Sequence, residues 1–479
     1  MTPTSHRSIL LGHSYFLRYD AKQWHRARPY PPLGTLSVAA TLRARGHDPA
    51  FFDAMLAGGV EEFAAALRHH RPGVVFLVED DFNYLTKMCT TRMRTAALQM
   101  VEAAHRAGSR ILVHGSDASD HAAAYLAAGA DAVALGEPEQ TVAEVAAAWT
   151  GGTDDLSGIA GLALPATGDT AEDRPLRTPA RPYLNDLDHL PPPAWDLIDV
   201  ERYRTFWQRA HGRFSWNAVT SRGCPYRCNW CAKPIFGTRW AQHSPARAAD
   251  ELARIKRDIA PDHIWFADDI FGLTERWIVT FAEEVHRRDA ALPFMMQSRA
   301  NLMTPPVVDA LVRAGAEEVW LGAESGAQQI LDAMDKGTTV QQVRDAVAVL
   351  HEHDLRVGLF VQLGYPGETW REILMTRDLI RDTGPNAIGV SVAYPLPGTV
   401  FHERVRSQLG HQTNWRDSND LAMMFHGTYD TDFYRRVRTL LHAEVEPGAA
   451  PDCLDDRWAA LAAERPEVST PSPVAFTEG

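Results

Sequence analysis

The alternation of short apolar runs with longer amphipathic stretches constrains the fold of this chain more than any other feature of its sequence. Residues 1–150 contain five such runs, each rich in β-branched or aromatic residues and bounded by polar residues or glycine, as buried parallel strands are. These candidate strands are Ser8–Gly12, Pro49–Asp53, Val74–Val78, Arg110–His114 and Ala130–Leu135. Because helix-like segments separate them, the pattern predicts a doubly wound, Rossmann-like α/β domain over residues 1–150.

A second alternation begins near residue 213 and continues to about residue 400. Its candidate strands are Ser215–Thr220, His263–Ala267, Phe294–Gln297, Glu318–Ala323, Gly358–Leu363 and Ala387–Ala393. Strand–helix units over residues 213–400 predict a partial (β/α)6 barrel, whose active site lies at the C-terminal ends of the strands. We expect residues 151–212 to be a linker, residues 401–466 a short, mostly helical region and residues 467–479 a disordered tail.

Composition and charge narrow the class of protein. Of the 479 residues, 45% are hydrophobic and 23% are charged, which is typical of a globular protein. The net charge of −13 disfavours a nucleic-acid or anionic-membrane partner, although it leaves room for a local basic pocket. No apolar run reaches the ~18 residues of a membrane-spanning helix, and the N-terminal residues lack the pattern of a signal peptide. We therefore expect a soluble cytoplasmic protein whose cysteines do chemistry.

Three of the five cysteines lie together, directly after the first strand of the predicted barrel. The spacing Cys224-Pro-Tyr-Arg-Cys228-Asn-Trp-Cys231 lets one tight loop direct three sulfurs toward three corners of an iron–sulfur cubane, which leaves the fourth iron open to another ligand. A zinc site is the alternative, but it needs a fourth ligand to close its tetrahedron. Cys89 and Cys453 stand far apart in the sequence, and we expect apolar thiols rather than ligands at both.

With this motif the chain resembles the radical S-adenosylmethionine (SAM) superfamily. In that family CxxxCxxC holds a 4Fe–4S cluster and SAM chelates the fourth iron, so the resemblance implies that the three cysteines are the iron ligands. The later strand ends also match the family in order, and the resemblance implies five SAM contacts, while the catalytic side chains stay unknown. These are Trp230 at the adenine, Asp268 and Asp269 at the ammonium, Arg299 at the carboxylate and Glu324 at the ribose.

The reaction that this resemblance implies is reductive. One electron passes from the cluster to the SAM sulfonium, which releases methionine and a 5′-deoxyadenosyl radical that abstracts hydrogen from an unactivated carbon. An electron donor such as flavodoxin or ferredoxin is then an expected partner. A closed barrel mouth would protect the radical from water.

An α/β domain in front of such a barrel resembles the cobalamin-binding subfamily, which includes methylases of unactivated carbons and oxygen-independent cyclases. Gly115, Ser116 and Gly136 lie in loops after the fourth and fifth strands, where the backbone would approach the corrin or its nucleotide tail. The family's DxHxxG motif, whose histidine ligates cobalt, is absent, and His13 in the first loop has the wrong spacing. We expect cobalamin to bind without that ligand; the alternative is a domain that has lost cobalamin and kept its fold.

Three functions fit these features. The leading hypothesis is cobalamin-dependent C-methylation of a small or specialised metabolite at an unactivated carbon. The second keeps the radical SAM chemistry but performs cyclisation, rearrangement or transfer of another SAM-derived group, with or without cobalamin. The third is a non-catalytic metal-binding or redox-sensing protein. Because enzymes that share a fold differ in their substrate contacts, the barrel pattern alone does not choose among them.

Overall fold

The computed structural model describes residues 8–166, 174–233, 235–412, 414–446, 448 and 451–464, so the predicted tail over residues 467–479 lies outside the described residues. Within these ranges the strands form sheets of seven, six and two strands. The predicted class, an α/β domain followed by a partial barrel and a helical C-terminal region, is confirmed. No helix in the described ranges is long and apolar enough to cross a membrane.

The first sheet belongs to the N-terminal domain and has the strand order β2-β1-β3-β4-β5-β6-β7. Its strands are β1 Ile9–Gly12, β2 Ala50–Phe52, β3 Val74–Val78, β4 Arg110–His114, β5 Ala132–Ala134, β6 Leu162–Leu164 and β7 Leu176–Arg177. Strands β1 to β5 run parallel and coincide with the predicted apolar runs. Strands β6 and β7 join the β5 edge in antiparallel pairing, within the segment that the sequence predicts as a linker.

Helices cover both faces of the first sheet, as a doubly wound domain requires. They are α1 Ala21–Arg26, α2 Leu33–Ala44, α3 Val60–His70, α4 Tyr84–Lys87, α5 Thr91–Arg106, α6 Ser116–Asp120, α7 Ala122–Ala127 and α8 Pro138–Thr150. On one face Trp149 of α8 stacks on Phe76 of β3, with ring centroids 6.0 Å apart. On the other face Phe63 of α3 packs against Phe52 of β2 at 5.2 Å. Buried apolar strands therefore lie between two helix layers.

The second sheet is a parallel half-barrel with the order β8-β11-β12-β13-β14-β15 across the described residues. Its strands are β8 Ser215–Ala218, β11 His263–Phe266, β12 Phe294–Ser298, β13 Ala316–Glu324, β14 Arg356–Leu363 and β15 Ala387–Val392. Two short antiparallel strands, β9 Ser221–Arg222 and β10 Ala241–Gln242, follow β8 and form a separate ribbon. Since β8 and β15 are the two edges of this order, the barrel is open between them.

The remaining helices follow the strands of the half-barrel and form the C-terminal region. They are α9 Val200–His211, α10 Pro245–Asp258, α11 Glu275–Arg287, α12 Pro305–Ala314, α13 Gln328–Ala333, α14 Val340–Glu352, α15 Trp370–Thr383, α16 Val400–Val405, α17 Thr431–Glu444 and α18 Pro451–Ala463. Helix α12 ends at Gly315, whose φ of 106° favours glycine. Helix α17 packs against α15 and β15, so it covers one edge of the half-barrel.

Arg222 of β9 forms the central contact between the two domains. Its guanidinium pairs with Glu137 at 2.8 Å and with Glu139 at 2.5 Å, and all three side chains are buried. The rings of Phe82 and Phe236 both lie 5.5 Å from the guanidinium carbon. Burial lowers the pKa of Arg222, but the two carboxylates outweigh burial and raise it above its ordinary value. The loop after β5 is therefore joined to the strand that precedes the cysteines.

The loop that precedes α2 reaches into the base of the half-barrel. The Tyr30 hydroxyl lies 3.0 Å from Ser215 Oγ of β8, and its ring centroid lies 4.7 Å from that of Trp265 of β11. Asn217 Nδ2 donates to Pro31 O at 3.0 Å. The N-terminal domain thus fills the lower part of the barrel beside its β8 edge.

The chain that follows the barrel docks onto the N-terminal domain. Ser418 donates to Asp20 from Oγ at 2.8 Å and from its backbone N at 2.9 Å. The backbone N of Thr91 donates to Trp415 O at 2.9 Å, and the Trp415 ring stacks on Tyr394, just after β15, at 4.1 Å. The C-terminal region therefore holds the first domain against the barrel.

Replacing Arg222 with Met is expected to lower the free energy of unfolding by about 3–5 kcal/mol, because two buried carboxylates lose their cation. Urea unfolding followed by circular dichroism measures the loss. Arg43 provides the matched control: its pair with Asp196 is partly exposed, so Arg43→Met should cost less than about 1 kcal/mol. Adding Glu137→Gln and Glu139→Gln to Arg222→Met should recover part of the stability; equal losses for Arg222→Met and Arg43→Met would contradict the assignment.

Candidate functional site

The cysteine loop begins directly after β9, at the C-terminal ends of the parallel strands. Cys224, Cys228 and Cys231 are free thiols of intermediate burial. Burial, then Asp269, and then Cys228 and Cys224 raise the pKa of Cys231 to about 12, although Lys233 opposes them, so the three thiols are close neighbours. Such thiols bind iron as thiolates and release their protons when they do.

Among the described residues, no group of three or more His, Cys, Asp or Glu side chains could hold a metal ion. In a cubane each thiolate binds its own iron, so three cysteines that hold a cluster need not share one ion.

Asn229 lies between the second and third cysteines and attaches the loop to the barrel. It is buried, and its Nδ2 donates to Ala333 O and to Asp335 Oδ2, both at 2.8 Å. Its Oδ1 accepts from the Tyr365 hydroxyl at 2.8 Å, and its backbone N donates to Met334 O at 3.0 Å. These bonds join the loop to the end of α13 and to the turn after β14.

Arg299 follows β12 and reaches the same loop. It is buried, and its Nη1 lies 3.8 Å from Cys228 Sγ. Its guanidinium carbon lies 3.7 Å from the centroid of the Tyr226 ring, and its Nη2 donates to Lys336 O at 2.5 Å. A fixed positive charge therefore lies beside the second thiol.

Asp268 and Asp269 follow β11 but have different partners. Asp268 is fully buried, and its Oδ1 accepts from Thr220 Oγ1 at 2.7 Å and from Ser221 Oγ at 2.5 Å. Burial raises the pKa of Asp268 to about 7, against the lowering effect of these hydrogen bonds. Asp269 keeps 26% of its side chain exposed and pairs with Lys87 of α4 at 2.5 Å. The carboxylate of Asp268 thus accepts hydrogen bonds from the turn after β8, whereas that of Asp269 lies at the domain boundary.

Glu324 contacts the turn that precedes α14, and Trp230 packs against an apolar cluster that includes Met334 at the end of α13. Glu324 ends β13 at a register shift, with a φ of 59°, and pairs with Lys336 at 2.6 Å. Trp230 packs beside Tyr365 and Phe401, and its buried Nε1 has no hydrogen-bond partner among the described residues. A bound molecule that accepts a hydrogen bond would satisfy this donor.

The predicted cobalamin contacts lie at the C-terminal edge of the first sheet. Gly115 has a φ of 144°, and a Cβ there would meet Cγ of Glu79 at 2.7 Å. Ser116 Oγ donates to Asp81 at 2.8 Å. Gly136 has a φ of 73°, and a Cβ there would meet nothing within 4 Å, so its backbone borders open space.

The first loop of this domain directs its histidine to the neighbouring loop at the same edge, the loop that follows β2. His13 is 1% exposed, and its Nε2 lies 3.1 Å from Asp53 Oδ1 and accepts from the backbone N of Ala54 at 3.1 Å. The imidazole is therefore held by the loop that follows β2.

Comparison with known proteins identifies both domains. Residues 218–380 match the Radical SAM superfamily, and residues 25–146 match the B12 binding domain. The half-barrel and its cysteine loop are thus those of a radical SAM protein. More particularly, one chain carries both a radical SAM domain and, in front of it, a B12 binding domain.

The relatives include methyltransferases and a cyclase. An uncharacterized methyltransferase of Pyrococcus horikoshii is 31% identical over 289 residues, which cover 60% of each chain. The anaerobic magnesium-protoporphyrin IX monomethyl ester cyclase of Rubrivivax gelatinosus is 25% identical over 57% of this chain and 49% of its own. The structure of the methyltransferase TsrM of Kitasatospora setae has a TM-score of 0.67 and 19% identity, covers 84% of this chain and 78% of its own, and shares the fold. The chain spans about half to three fifths of these two curated relatives.

Sequence reasoning did not single out Arg222, Asn229 or Lys87. Arg222 meets Glu139 across 83 positions of the chain, and Lys87 meets Asp269 across 182. Complementary charges at these positions are visible in the sequence, but no local pattern shows that they pair. Asn229 could have been found from its place between two cysteines, where a loop needs a partner for its backbone and side-chain polar groups.

Replacing Asn229 with Ala is expected to lower both stability and iron retention, because the variant leaves buried groups without partners at a cost of about 1–3 kcal/mol. The measurements are thermal unfolding before cluster assembly and iron per chain after anaerobic reconstitution. Asn386→Ala is the control, since Asn386 accepts from Val357 N at 2.7 Å near the start of β15, away from the cysteine loop. The control should lose stability and keep its iron; unchanged iron in Asn229→Ala would contradict the role of this residue.

Proposed function

We propose that this chain is a cobalamin-dependent radical SAM enzyme that methylates an unactivated carbon of a small or specialised metabolite. The observation that carries the proposal is that one chain has both domains and joins them beside the cysteines. Arg222, two residues before Cys224, pairs with Glu137 in the loop after β5 of the B12 binding domain. A corrin at that loop would lie close to the cysteines. The methyltransferase activities named for the Pyrococcus relative and for TsrM support methyl transfer.

The cysteine loop fits a 4Fe–4S cluster. Three thiols supply three ligands and leave one iron for SAM, as the family requires. Arg299, 3.8 Å from Cys228 Sγ, would offset part of the negative charge of the thiolates. Asn229 would hold the loop in place while iron is bound.

We assign SAM to the space beside the open iron. The unpartnered Nε1 of Trp230 supports an adenine contact, because adenine nitrogens accept hydrogen bonds. Arg299 suits the SAM carboxylate, since a guanidinium binds a carboxylate through two parallel hydrogen bonds. Glu324, paired with Lys336 in the described residues, suits a ribose hydroxyl, which can donate to its carboxylate.

The two aspartates after β11 receive different roles in this proposal. Asp269 is partly exposed and already pairs with an ammonium, that of Lys87, so it is suited to hold the SAM ammonium. Asp268 accepts hydrogen bonds from Thr220 and Ser221, so we assign it to support the turn and to bind SAM only through that turn. This assignment refines the pair of contacts that the family resemblance implies.

We assign cobalamin to the C-terminal edge of the first sheet. The open space over Gly136 supports close approach of a corrin to the backbone, and Gly115 and Ser116 border the same edge. Glu137, the residue after Gly136, joins this loop to Arg222. Because the DxHxxG motif is absent and Asp53 engages His13, cobalt would receive no ligand from the first loop.

When bound, the cluster, SAM and cobalamin would supply the electron, the radical precursor and the methyl group. The chain's own residues would position these groups and exclude water from them. Tyr30 fills the base of the barrel, and the contacts of Trp415 and Ser418 hold the C-terminal region across the domain boundary. We also propose that a reductant such as flavodoxin or ferredoxin supplies the electron and that the protein is located in the cytoplasm.

Ring formation is the second candidate function. The observation that favours it is the 25% identity to the anaerobic magnesium-protoporphyrin IX monomethyl ester cyclase of Rubrivivax gelatinosus. Such a reaction would use the same cluster loop and SAM contacts, so only the products separate the two candidates.

The test is a product analysis of anaerobically reconstituted protein supplied with SAM, dithionite and cobalamin. We expect 5′-deoxyadenosine from reductive cleavage and S-adenosylhomocysteine from methylation of reduced cobalamin. Cys228→Ala should lose the visible cluster absorbance and 5′-deoxyadenosine while it retains cobalamin. Formation of 5′-deoxyadenosine without S-adenosylhomocysteine would favour cyclisation or another radical reaction. Neither product would support a non-catalytic protein.

Replacing Trp230 with Phe is expected to weaken SAM binding about three- to tenfold, because one neutral hydrogen bond contributes about 0.5–1.5 kcal/mol. Equilibrium dialysis of SAM against cluster-loaded protein measures the change. Trp277→Phe is the control, since Trp277 Nε1 donates to His243 O at 2.9 Å. That variant should lose some thermal stability and bind SAM normally; equal SAM affinity in Trp230→Phe and the unsubstituted protein would remove Trp230 from the site.

A further inference from the structure

A group of cationic side chains lies where the N-terminal domain meets the C-terminal region. Lys22 of α1 donates from Nζ to Ser418 O at 3.0 Å, and Arg438 of α17 donates from Nη1 to Asn419 Oδ1 at 3.3 Å. Because Ser418 and Asn419 are consecutive, the two cations approach the same stretch of chain. Arg26, at the end of α1, completes the group, which we call the basic cluster: Lys22, Arg26 and Arg438.

The cations of the basic cluster contribute to lowered pKa values at Lys22 and Arg438. Burial, Arg438 and Arg26 lower the pKa of Lys22 to about 8. Burial, Arg26 and Arg435 likewise lower the pKa of Arg438. The nearby His442 has a pKa lowered to about 4 by burial and by the three cations of the cluster. Repulsion among these cations and loss of hydration therefore exceed the attraction of the acids around them.

The carboxylates near the basic cluster have other partners. Asp20 accepts from Ser418 Oγ at 2.8 Å and from the backbone N of Gln23 at 3.1 Å. Asp417 pairs with Arg92 at 3.4 Å. Within the described ranges, no carboxylate lies within the 4.0 Å ion-pair distance of any cation of the basic cluster. Within the described residues, no direct ion pair therefore neutralises the positive charge of the cluster, and Asp20 and Asp417 act on Lys22 only from a longer distance.

The elements that carry the basic cluster flank the open side of the half-barrel. Helix α17, which carries Arg438, packs against the β15 edge, while Tyr30, which follows α1, contacts Ser215 at the β8 edge. Arg26 lies near the hydroxyl of Tyr84 of α4, whose ring lies 6.4 Å from that of Trp265 of β11. Tyr84 is 49% exposed, so an accessible aromatic side chain lies between the cluster and the barrel.

We propose that the basic cluster binds the oxyanion of the small-molecule substrate, which is therefore a phosphate ester or a carboxylate. Cations that are partly removed from water repel one another, and an anion between them offsets both the repulsion and the lost hydration. Guanidinium groups match the oxygens of phosphate and carboxylate, and an ammonium adds a point charge. In a chain with a net charge of −13, such a local positive site is selective for anions.

This inference rests on the proposed function, since it names the substrate class of the same site. Helix α4 connects the two places: Tyr84 at its start contacts Arg26, and Lys87 at its end pairs with Asp269, close to Cys231. Three helical residues span only about 4.5 Å along the axis. A substrate whose anionic group occupies the basic cluster would extend along α4 toward the cysteine loop.

The test is equilibrium dialysis of ³²P-pyrophosphate against the full chain at constant ionic strength, without SAM and with or without cobalamin. We expect saturable binding of one pyrophosphate per chain. Lys22→Met and Arg438→Gln should each weaken it about ten- to a hundredfold, as expected for one charged hydrogen bond. Arg436→Gln is the matched control on the same helix, because Arg436 pairs with Glu464 at 2.7 Å, and it should leave binding unchanged.

Competition separates the two classes of oxyanion. Displacement of pyrophosphate by malonate assigns the site to carboxylates as well, and resistance to malonate assigns it to phosphate esters. The inference would be overturned if the unsubstituted chain showed no saturable binding or if Arg436→Gln weakened binding equally. Displacement of pyrophosphate by cobalamin would also overturn it, because the nucleotide tail would then occupy the cluster. Thermal unfolding checks that Arg438→Gln is folded. If it is, Arg438→Lys, which keeps the positive charge, should bind pyrophosphate with much of the original affinity. None of these outcomes depends on SAM cleavage, so failure here leaves the proposed function standing.

Discussion

The buried ion pairs of Arg222 with Glu137 and Glu139 are the interaction on which the arrangement of the two domains depends. A guanidinium and two carboxylates removed from water are stable only when they stay paired, so the loop after β5 cannot separate from the strand before the cysteines at low cost. Gly136 directly precedes one glutamate, and Cys224 lies just beyond the arginine. The proposed corrin and cluster positions are therefore linked through one ion pair and a few backbone bonds.

The other contacts at the domain boundary act in the same direction. Lys87 of the first domain forms an ion pair with Asp269 beside the cysteine loop, and Ser418 of the C-terminal region donates a hydrogen bond to Asp20. Tyr30 occupies the base of the half-barrel at its β8 edge, while α17 covers the β15 edge. The elements between these two edges carry the proposed basic cluster. A substrate would therefore enter, and its charge would be recognised, at one place.

Much of this fold could be predicted from the sequence, because parallel strands buried on both faces are short continuous apolar runs. Val74–Val78 and Arg110–His114 have the predicted bounds, whereas β6 and β7 are too short to stand out in a stretch rich in Gly, Asp and Pro. The cysteine spacing located the site. It did not show that Asp268 binds the Thr220 turn while its neighbour faces the domain boundary, since adjacent carboxylates look alike in sequence and only packing distinguishes them.

The central claim is that one chain holds cobalamin and a 4Fe–4S cluster at fixed close range, through Arg222. Electron paramagnetic resonance of the anaerobically reconstituted protein, with cobalt as cob(II)alamin and the cluster reduced, tests this claim most directly. We expect one cobalamin per chain and a magnetic interaction that broadens both signals, and we expect Arg222→Met to weaken this interaction. Two independent, unbroadened signals in the unsubstituted protein, or no retained cobalamin, would contradict it.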